Sequence, residues 1–508
     1  MKSSNINRIA TNSVLLYVRT VFVMIITLYT SRIILQIFGV DDFGIYSVVT
    51  SVVTMFSVFS GAFSSAIIRF ITYELRNKEN SKINEIFWSS LIFQLFVSIF
   101  SVFIIFSVGE YILIDYLNIP ESRIDSARFV FICSTAIFGI NLLIVPLQAE
   151  VISHECMGVY SLFSSVDALF KLTAAYGLTF ATTDTLTLYS LELLLNVIIQ
   201  FILYCIFCFW TFKECRCLKV DFNCIKEISF FAGWNFFGCG AYVFNTQGIN
   251  IISNIFFGVM VNAARGIAMQ VEAAVMQFVN SFTMALNPQI TKSYAAGDTE
   301  YMMELVYRGA KYSYLLLLVF AVPFLLEADT ILRIWLGTPP DYAADFVRLS
   351  ILVAMASILS QTMITAMLAT GKIKQYQIVV GTVYALVFPL SWIAFQWGFP
   401  ADMTYYIYFA VNCVCLVIRL YMLKPLIPIS ATEFIRRTLL KVLPITALTF
   451  VIPGIVCYSF EPSFLRLVAV CGLSFVSTVG LSYALALDPQ ERLFLREAVA
   501  KVVRRLHR

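Results

Sequence analysis

The chain has 508 residues, of which 60% are hydrophobic and only 13% charged, with a formal net charge of +4 and a mean hydropathy of +0.84. A water-soluble globule of this size is excluded, because it could not cover itself with polar side chains. A membrane barrel is excluded as well: the apolar runs reach the roughly 20 residues of a helical span and lack the alternation over about ten residues that barrel strands show.

The first apolar window, 13 to 36, follows Lys2 and Arg8 as a signal peptide would. It is too long for one and no small-residue cleavage site follows, so it reads as a retained first helix. Further windows lie at 42 to 68, 86 to 108, 127 to 149, 158 to 180, 185 to 210, 229 to 253 and 260 to 288. The remainder lie at 309 to 332, 346 to 369, 375 to 397, 402 to 423, 438 to 459 and 464 to 487. Together they predict an all-α polytopic membrane protein with about 14 spans.

Charge in the connecting segments tests that count. Basic residues gather in alternate connections: Lys2 and Arg8; Arg76, Lys78 and Lys82; Lys213, Arg216, Lys219 and Lys226; Lys292, Arg308 and Lys311; Lys372 and Lys374; Arg436, Arg437 and Lys441. The intervening connections carry Asp41, Asp42, Glu110, Asp115, Asp184, Asp341, Asp402 and Glu461 with few basic partners. The positive-inside rule then puts both termini in the cytoplasm, which requires an even number of spans. Most cysteines fall in spans or basic connections and only Cys457 nears the outer side, so no disulfide framework is expected. Cys205 and Cys208 have redox or metal spacing but are flanked by Phe207 and Phe209 with no histidine near, which favours packing.

Two segments carry helix-start chemistry, Ser430 to Glu433 and Asp488 to Glu491, both of capping-box form. After Asp488, Leu495, Val499, Val502, Val503 and Leu506 form a stripe opposite Arg496, Lys501, Arg504 and Arg505, as in a helix lying on an anionic leaflet.

The stretch from Ile37 to Glu85 is used twice. Ile37-Phe38-Gly39-Val40 returns as Phe256-Phe257-Gly258-Val259, and the same offset of 219 residues carries Phe63 onto Phe282, Ala66 onto Ala285 and Glu85 onto Glu304. Each copy is an apolar helix, a short turn at glycine, a second long helix and a charged loop. A fold made of two such halves has a seam, and in transporters that is where substrate sits.

Phosphate-binding glycine loops, nucleophile elbows and histidine clusters are missing from the sequence; its two histidines are His154 and His507. An enzyme is therefore not expected, nor a resident metal or cofactor, nor a nucleic-acid partner. Ionisable residues inside the spans are more informative, since a charge at mid-bilayer is costly and faces a cavity or a partner. Arg19 lies well inside the first span and Arg32 near its far end. Lys171 follows Asp167 by one helical turn; the pair either neutralises itself within one helix or serves transport. In the eighth span Asn262, Arg265, Met269, Glu272, Met276, Thr283 and Asn287 recur at steps of three and four, forming a polar face. The seventh adds Asn235, Tyr242, Asn245, Thr246 and Asn250, which either line a polar lumen or bond helix to helix. Glu272 either carries a proton or sodium ion or is the fixed counter-ion of Arg265.

The stretch 29 to 49, YTSRIILQIFGVDDFGIYSVV, resembles the amino-terminal signature of bacterial polysaccharide flippases, the O-antigen exporter branch of the multidrug, oligosaccharidyl-lipid and polysaccharide exporter superfamily. The segment 263 to 298, with Asn287-Pro288 and Ala296-Gly297-Asp298, is similar to the second-lobe region of that superfamily. The resemblance implies two six-helix lobes, here 1–212 and 213–428, two extra carboxy-terminal spans at 429–488, and a basic cytoplasmic tail at 489–508. It implies movement of undecaprenyl-diphosphate-linked oligosaccharide across the bacterial inner membrane by alternating access, with cationic residues in a central cavity. Arg19, Arg32, Lys171 and Arg265 are the positions of that kind, and a guanidinium fork suits a diphosphate. Asp167 and Glu272 are candidates for coupling to H+ or Na+, while Asn245, Asn250, Asn262 and Asn287 are candidates for the lumen wall. The expected partners are the lipid-linked oligosaccharide, membrane lipids and a polysaccharide polymerase, with the chain acting as a monomer. The rival readings are a multidrug cation exporter of the same fold and a membrane oligosaccharide polymerase. The exporter would favour acids in its cavity, and the polymerase would need catalytic groups in large outer loops.

Overall fold

The computed structural model describes residues 3–75, 82–154, 156–370, 373–487 and 492, and every regular element among them is helical. In chain order these are α1 (Ser3–Thr54), α2 (Val58–Glu74), α3 (Ile83–Asp115), α4 (Ile124–Ser153), α5 (Met157–Gly177), α6 (Thr185–Thr211), α7 (Phe222–Phe257), α8 (Val259–Ala295) and α9 (Thr299–Leu336). There follow α10 (Ala343–Ile358), α11 (Gln361–Ala369), α12 (Ile373–Ala385), α13 (Val387–Gln396), α14 (Met403–Leu423), α15 (Ala431–Phe434), α16 (Leu440–Ser459) and α17 (Phe464–Leu481). Among the described residues, ten stretches are long and apolar enough to cross a membrane. The chain is thus an all-α, multi-pass membrane protein, as expected where lipid offers no partner to a free backbone amide or carbonyl. Each predicted window falls on helix. The amphipathic tail, its Asp488 capping box, and Arg76, Lys78 and Lys372 lie outside the described residues.

The chain divides into two compact units. One holds residues 1–270, 335–343 and 377–404; the other holds 271–334, 344–376 and 405–508. The cut falls inside α8.

Within the first unit the duplication is visible in the backbone. Gly39, with φ 73° and ψ −178°, bends α1, and Gly258, with φ 78° and ψ −172°, separates α7 from α8. The two share one left-handed conformation at equivalent positions, and a glycine adopts it without the Cβ penalty. Beyond these turns the two second helices cross closely. A Cβ placed on Gly44 would fall 2.1 Å from the Val259 carbonyl oxygen, and one placed on Gly266 would fall 3.2 Å from Ser47 Oγ. Ser47 and Gly266 are themselves repeat equivalents. Each copy meets its own counterpart there, which is what a local two-fold axis between them requires.

Ion pairs tie the ends of this unit. The Arg123 guanidinium donates to the Asp42 carboxylate, which is almost fully enclosed, and to Asp184 Oδ1 at 2.8 Å. Arg128 pairs with Glu110. Two of the acids read as poorly partnered in sequence are therefore joined by one arginine 61 to 81 residues away. Asp184 also caps α6 by accepting from the Thr187 N–H. Burial alone would raise its carboxyl, but bonds from Ser126, Thr187 and Arg123 outweigh that and hold it below the usual range. Its contribution is present above the unfolded carboxylate value, near 3.9, and fades as pH falls through the lower folded value.

In the second unit α9 bends at Glu327 (φ −119°, ψ 24°), four residues after Pro323. The Glu327 side chain is fully enclosed and meets Arg466 of α17 through both carboxylate oxygens, at 2.6 and 2.8 Å. Thr330 donates to the same carboxylate. Lys311, placed by sequence in a basic connection, is instead inside α9, 2% exposed, with Nζ donating to the Ala486 carbonyl. Glu304, repeat mate of Glu85, is likewise on helix, paired one turn on with Arg308. Ser430 caps α15 as its spacing predicts, accepting from the Glu433 N–H.

Two outcomes test these contacts by thermal unfolding in detergent. Gly44→Ala is expected to lower the transition through overpacking, on the order of 1–3 kcal/mol. Gly472→Ala, whose Cβ meets nothing within 4 Å, should leave it unchanged or slightly higher; equal losses would contradict the close crossing. Glu327→Gln should destabilise by leaving the partly buried Arg466 guanidinium without its carboxylate, while the double change Glu327→Leu with Arg466→Met should recover most of that loss. A double variant as weak as the single one would show that the pair is not what joins α17 to α9.

Candidate functional site

Three separate groups in the first unit hold Arg19, the Asp167 and Lys171 pair, and Arg265. Arg19, half-buried on α1, has its guanidinium carbon 4.7 Å from the centre of the Tyr160 ring of α5. Its Nε is enclosed and has no hydrogen-bond partner among the described residues. A cation against an aromatic face keeps its charge available while gaining from the ring quadrupole. Gln148 of α4 donates to the neighbouring Tyr204 hydroxyl at 3.4 Å.

The second group is built on α5 and α6. Lys171 Nζ lies 2.8 Å from Asp167 Oδ2, one turn apart as the sequence spacing predicts, and Asn196 Nδ2 donates to Asp167 Oδ1 at 2.6 Å. Lys171 and Asp167 are 44% and 32% exposed in their side chains, so the pair is open rather than sealed in the bundle. Asn196 is 1% exposed and holds the carboxylate from the adjacent helix. One turn before it on α6, Glu192 keeps Oε2 enclosed without a hydrogen-bond partner among the described residues.

The third group lies at the repeat crossing. Arg265 is 4% exposed and its Nε donates to Asn250 Oδ1 at 2.6 Å. Asn250 Nδ2 donates to Ser51 Oγ at 2.9 Å, and Asn262 Nδ2 donates to the Asn250 carbonyl at 2.8 Å. Three helices are thereby stitched together through side chains that water does not reach. Such a network specifies a packing when satisfied and is costly when broken.

The remaining predicted residues fall elsewhere. Arg32 is half-buried on α1, seven residues before the Gly39 bend. Asn245 donates to the Tyr384 carbonyl and accepts from the Phe388 N–H, so it serves the junction between α12 and α13. Glu272 is half-buried on the portion of α8 that belongs to the second unit, as does Asn287, whose Oδ1 accepts from Thr365. Asn250 and Asn262 are bonded between helices. The side chains of Asn235 and Tyr242 lie outside the description.

Sequence reasoning missed Asn196, Glu192, Tyr160 and Ser51. For Asn196 and Glu192 a signal existed: each stands alone in the apolar run of α6, where a polar residue needs a partner. Tyr160 and Ser51 carry no such signal, since both types are common at helix contacts in membranes.

No protein-family model matches the chain. Over 319 residues it is 20% identical to the uncharacterized membrane protein EpsK of Bacillus subtilis strain 168, an alignment that spans 61% of this chain and 62% of that protein, less than two thirds of its length. The solved structure of the lipid II flippase MurJ in an inward closed conformation is similar with a TM-score of 0.66 at 12% identity, covering 96% of this chain and 100% of that one. A MATE protein in its straight conformation matches with a TM-score of 0.57 at 11% identity, over 82% of this chain and 94% of that one. An inward-facing multidrug resistance MATE transporter of the MOP superfamily gives 0.54 at 12%, over 81% and 93%. At these identities the likeness is one of architecture: the chain has the fold seen in MurJ and in the MATE transporters.

Proposed function

We propose that the protein is a flippase of the bacterial inner membrane that moves an undecaprenyl-diphosphate-linked oligosaccharide between leaflets by alternating access. In this reading the chain crosses the membrane about 14 times, with both termini in the cytoplasm, and acts as a monomer. Its cargo is delivered to a polysaccharide polymerase. The observation that carries it is Arg19: a guanidinium on α1 of a transporter-like fold, held over Tyr160, whose enclosed Nε has no hydrogen-bond partner among the described residues. A diphosphate supplies the acceptors that such a group lacks. Lys171 adds a second, exposed cation, and Asp167 with Asn196 offers a carboxylate that can take up a proton or sodium ion. Arg265 is assigned a different part, since its bond to Asn250 makes it a strut of the repeat crossing.

A second reading, export of organic cations, is favoured by Asp167 and Glu192, two acids on facing helices of the same unit. The two readings differ in which charge the cargo answers.

Purified protein in liposomes is expected to transfer a fluorescent polyprenyl-diphosphate oligosaccharide between leaflets. Arg19→Ala should slow transfer at least about tenfold, the loss of one charge-assisted contact, and Arg19→Lys should restore part of it. Arg265→Ala should lower thermal stability together with transport. Transfer of a cationic dye but not of the lipid would overturn the flippase reading in favour of the exporter. If the lipid moves at one rate regardless of proton and sodium gradients, and Asp167→Asn has no effect, the coupling role of Asp167 fails.

A further inference from the structure

The only histidine among the described residues lies outside all three groups above. His154 caps the C-terminus of α4, and its Nε2 is 3.1 Å from Glu150 Oε1, one turn back on that helix, and 2.8 Å from Glu214 Oε1, in the short turn that follows α6. These donor atoms lie within 4.8 Å of one another. Glu150 is completely buried, and its Oε2 has no hydrogen-bond partner among the described residues. A buried carboxylate oxygen with nothing to accept from is expensive, and such atoms mark sites that something else completes. The imidazole is fixed in place by stacking on Phe212 at 4.2 Å between ring centres, with an interplanar angle of 20°.

We propose that Glu150, His154 and Glu214 form a binding site for a divalent transition-metal ion of the zinc type. The donor set is one imidazole nitrogen and two carboxylates, which suits zinc, manganese or cobalt better than calcium or magnesium, both of which favour all-oxygen shells. In a tetrahedral site with bonds near 2.1 Å the ligand atoms stand about 3.4 Å apart. Both carboxylates already converge on the same ring nitrogen at close to that separation, so little rearrangement is needed to admit an ion between them. Glu150 Oε2 or solvent supplies the fourth position. The ion would join the end of α4 to the turn after α6, closing one end of the bundle formed by these two helices. Its surroundings favour a fixed ion over an exchanging one: Phe212 and Cys215, the residues flanking the Lys213-Glu214 pair, are both buried in the apolar cluster with Leu147, Val151 and Cys208.

A second cluster of ligating side chains among the described residues, Glu85, Asp221 and Cys224, does not carry the same inference. Its members are all half-buried, and the Cys224 thiol already donates to Asp221. It serves as the internal control.

The test is metal binding by the full-length protein in detergent after treatment with a chelator and dialysis. Cobalt(II) is expected to bind at one equivalent per chain with the visible absorption of a four-coordinate N/O site. Zinc should displace it and should raise the thermal unfolding temperature. Glu150→Gln and His154→Asn should each abolish both effects. Glu214→Gln, changed at a partly exposed position, provides a variant that folds if the buried ones do not. Glu85→Gln and His507→Asn should bind as the wild type does. The proposal is overturned if cobalt does not bind stoichiometrically, if binding survives in Glu150→Gln and Glu214→Gln, if it is lost in Glu85→Gln or His507→Asn, or if a near-ultraviolet thiolate band shows that cysteines hold the ion.

Discussion

The crossing of the two repeat-related helices at Gly44 and Gly266 is the contact on which the rest of the first unit depends. Backbone meets backbone there, with no room for a Cβ at Gly44, and the helices arrive because equivalent glycines at 39 and 258 take the same left-handed turn. Lipid supplies no hydrophobic drive for helices to associate, so close packing of small residues and hydrogen bonds between helices must do it. Both are present at this crossing. The Ser51, Asn250, Arg265 and Asn262 network lies beside the glycine contact and fixes the register that the small residues permit.

This division of labour sorts the buried charges. A charge that has found its partner inside the bundle acts as a fastener, and the most enclosed ones are of this kind: Arg265 with Asn250, Arg466 with Glu327, Lys311 with the Ala486 carbonyl. Others remain half-open, and in the proposed function these are the ones that meet the cargo. Arg19 against its tyrosine, and the Asp167 and Lys171 pair held by Asn196, meet that description. Depth in the membrane alone does not separate the two classes, because an arginine is costly at depth in either role and is retained in both.

The second unit uses the same logic to hold its last helices. α17 is fastened to α9 near the bend at Glu327, and Lys311 of α9 reaches the carbonyl of Ala486 beyond the end of α17. Contacts at both ends of a long helix resist rotation as well as separation, since either movement would strand a buried charge. Polar fasteners therefore bind the carboxy-terminal helices to the body of this unit.

The sequence by itself determined the membrane class, the positions of the helices, the break at glycine and the duplication. Each of these is written in local terms: an apolar run sets a span, a missing Cβ permits a turn, and an offset of 219 residues aligns two copies. It also showed Asp167 and Lys171 as a pair, because their spacing is one helical turn. Only the tertiary structure decided what each polar face looks at. Asn196 reaches Asp167 from 29 residues away, Ser51 reaches Asn250 from 199, and Glu214 reaches His154 from the far end of α6. A period of three and four residues says that side chains share a face but is silent on the neighbour across it. That neighbour is set by how helices cross, which here follows from the close approach at Gly44 and Gly266 and from the pairing of charges that lipid cannot solvate.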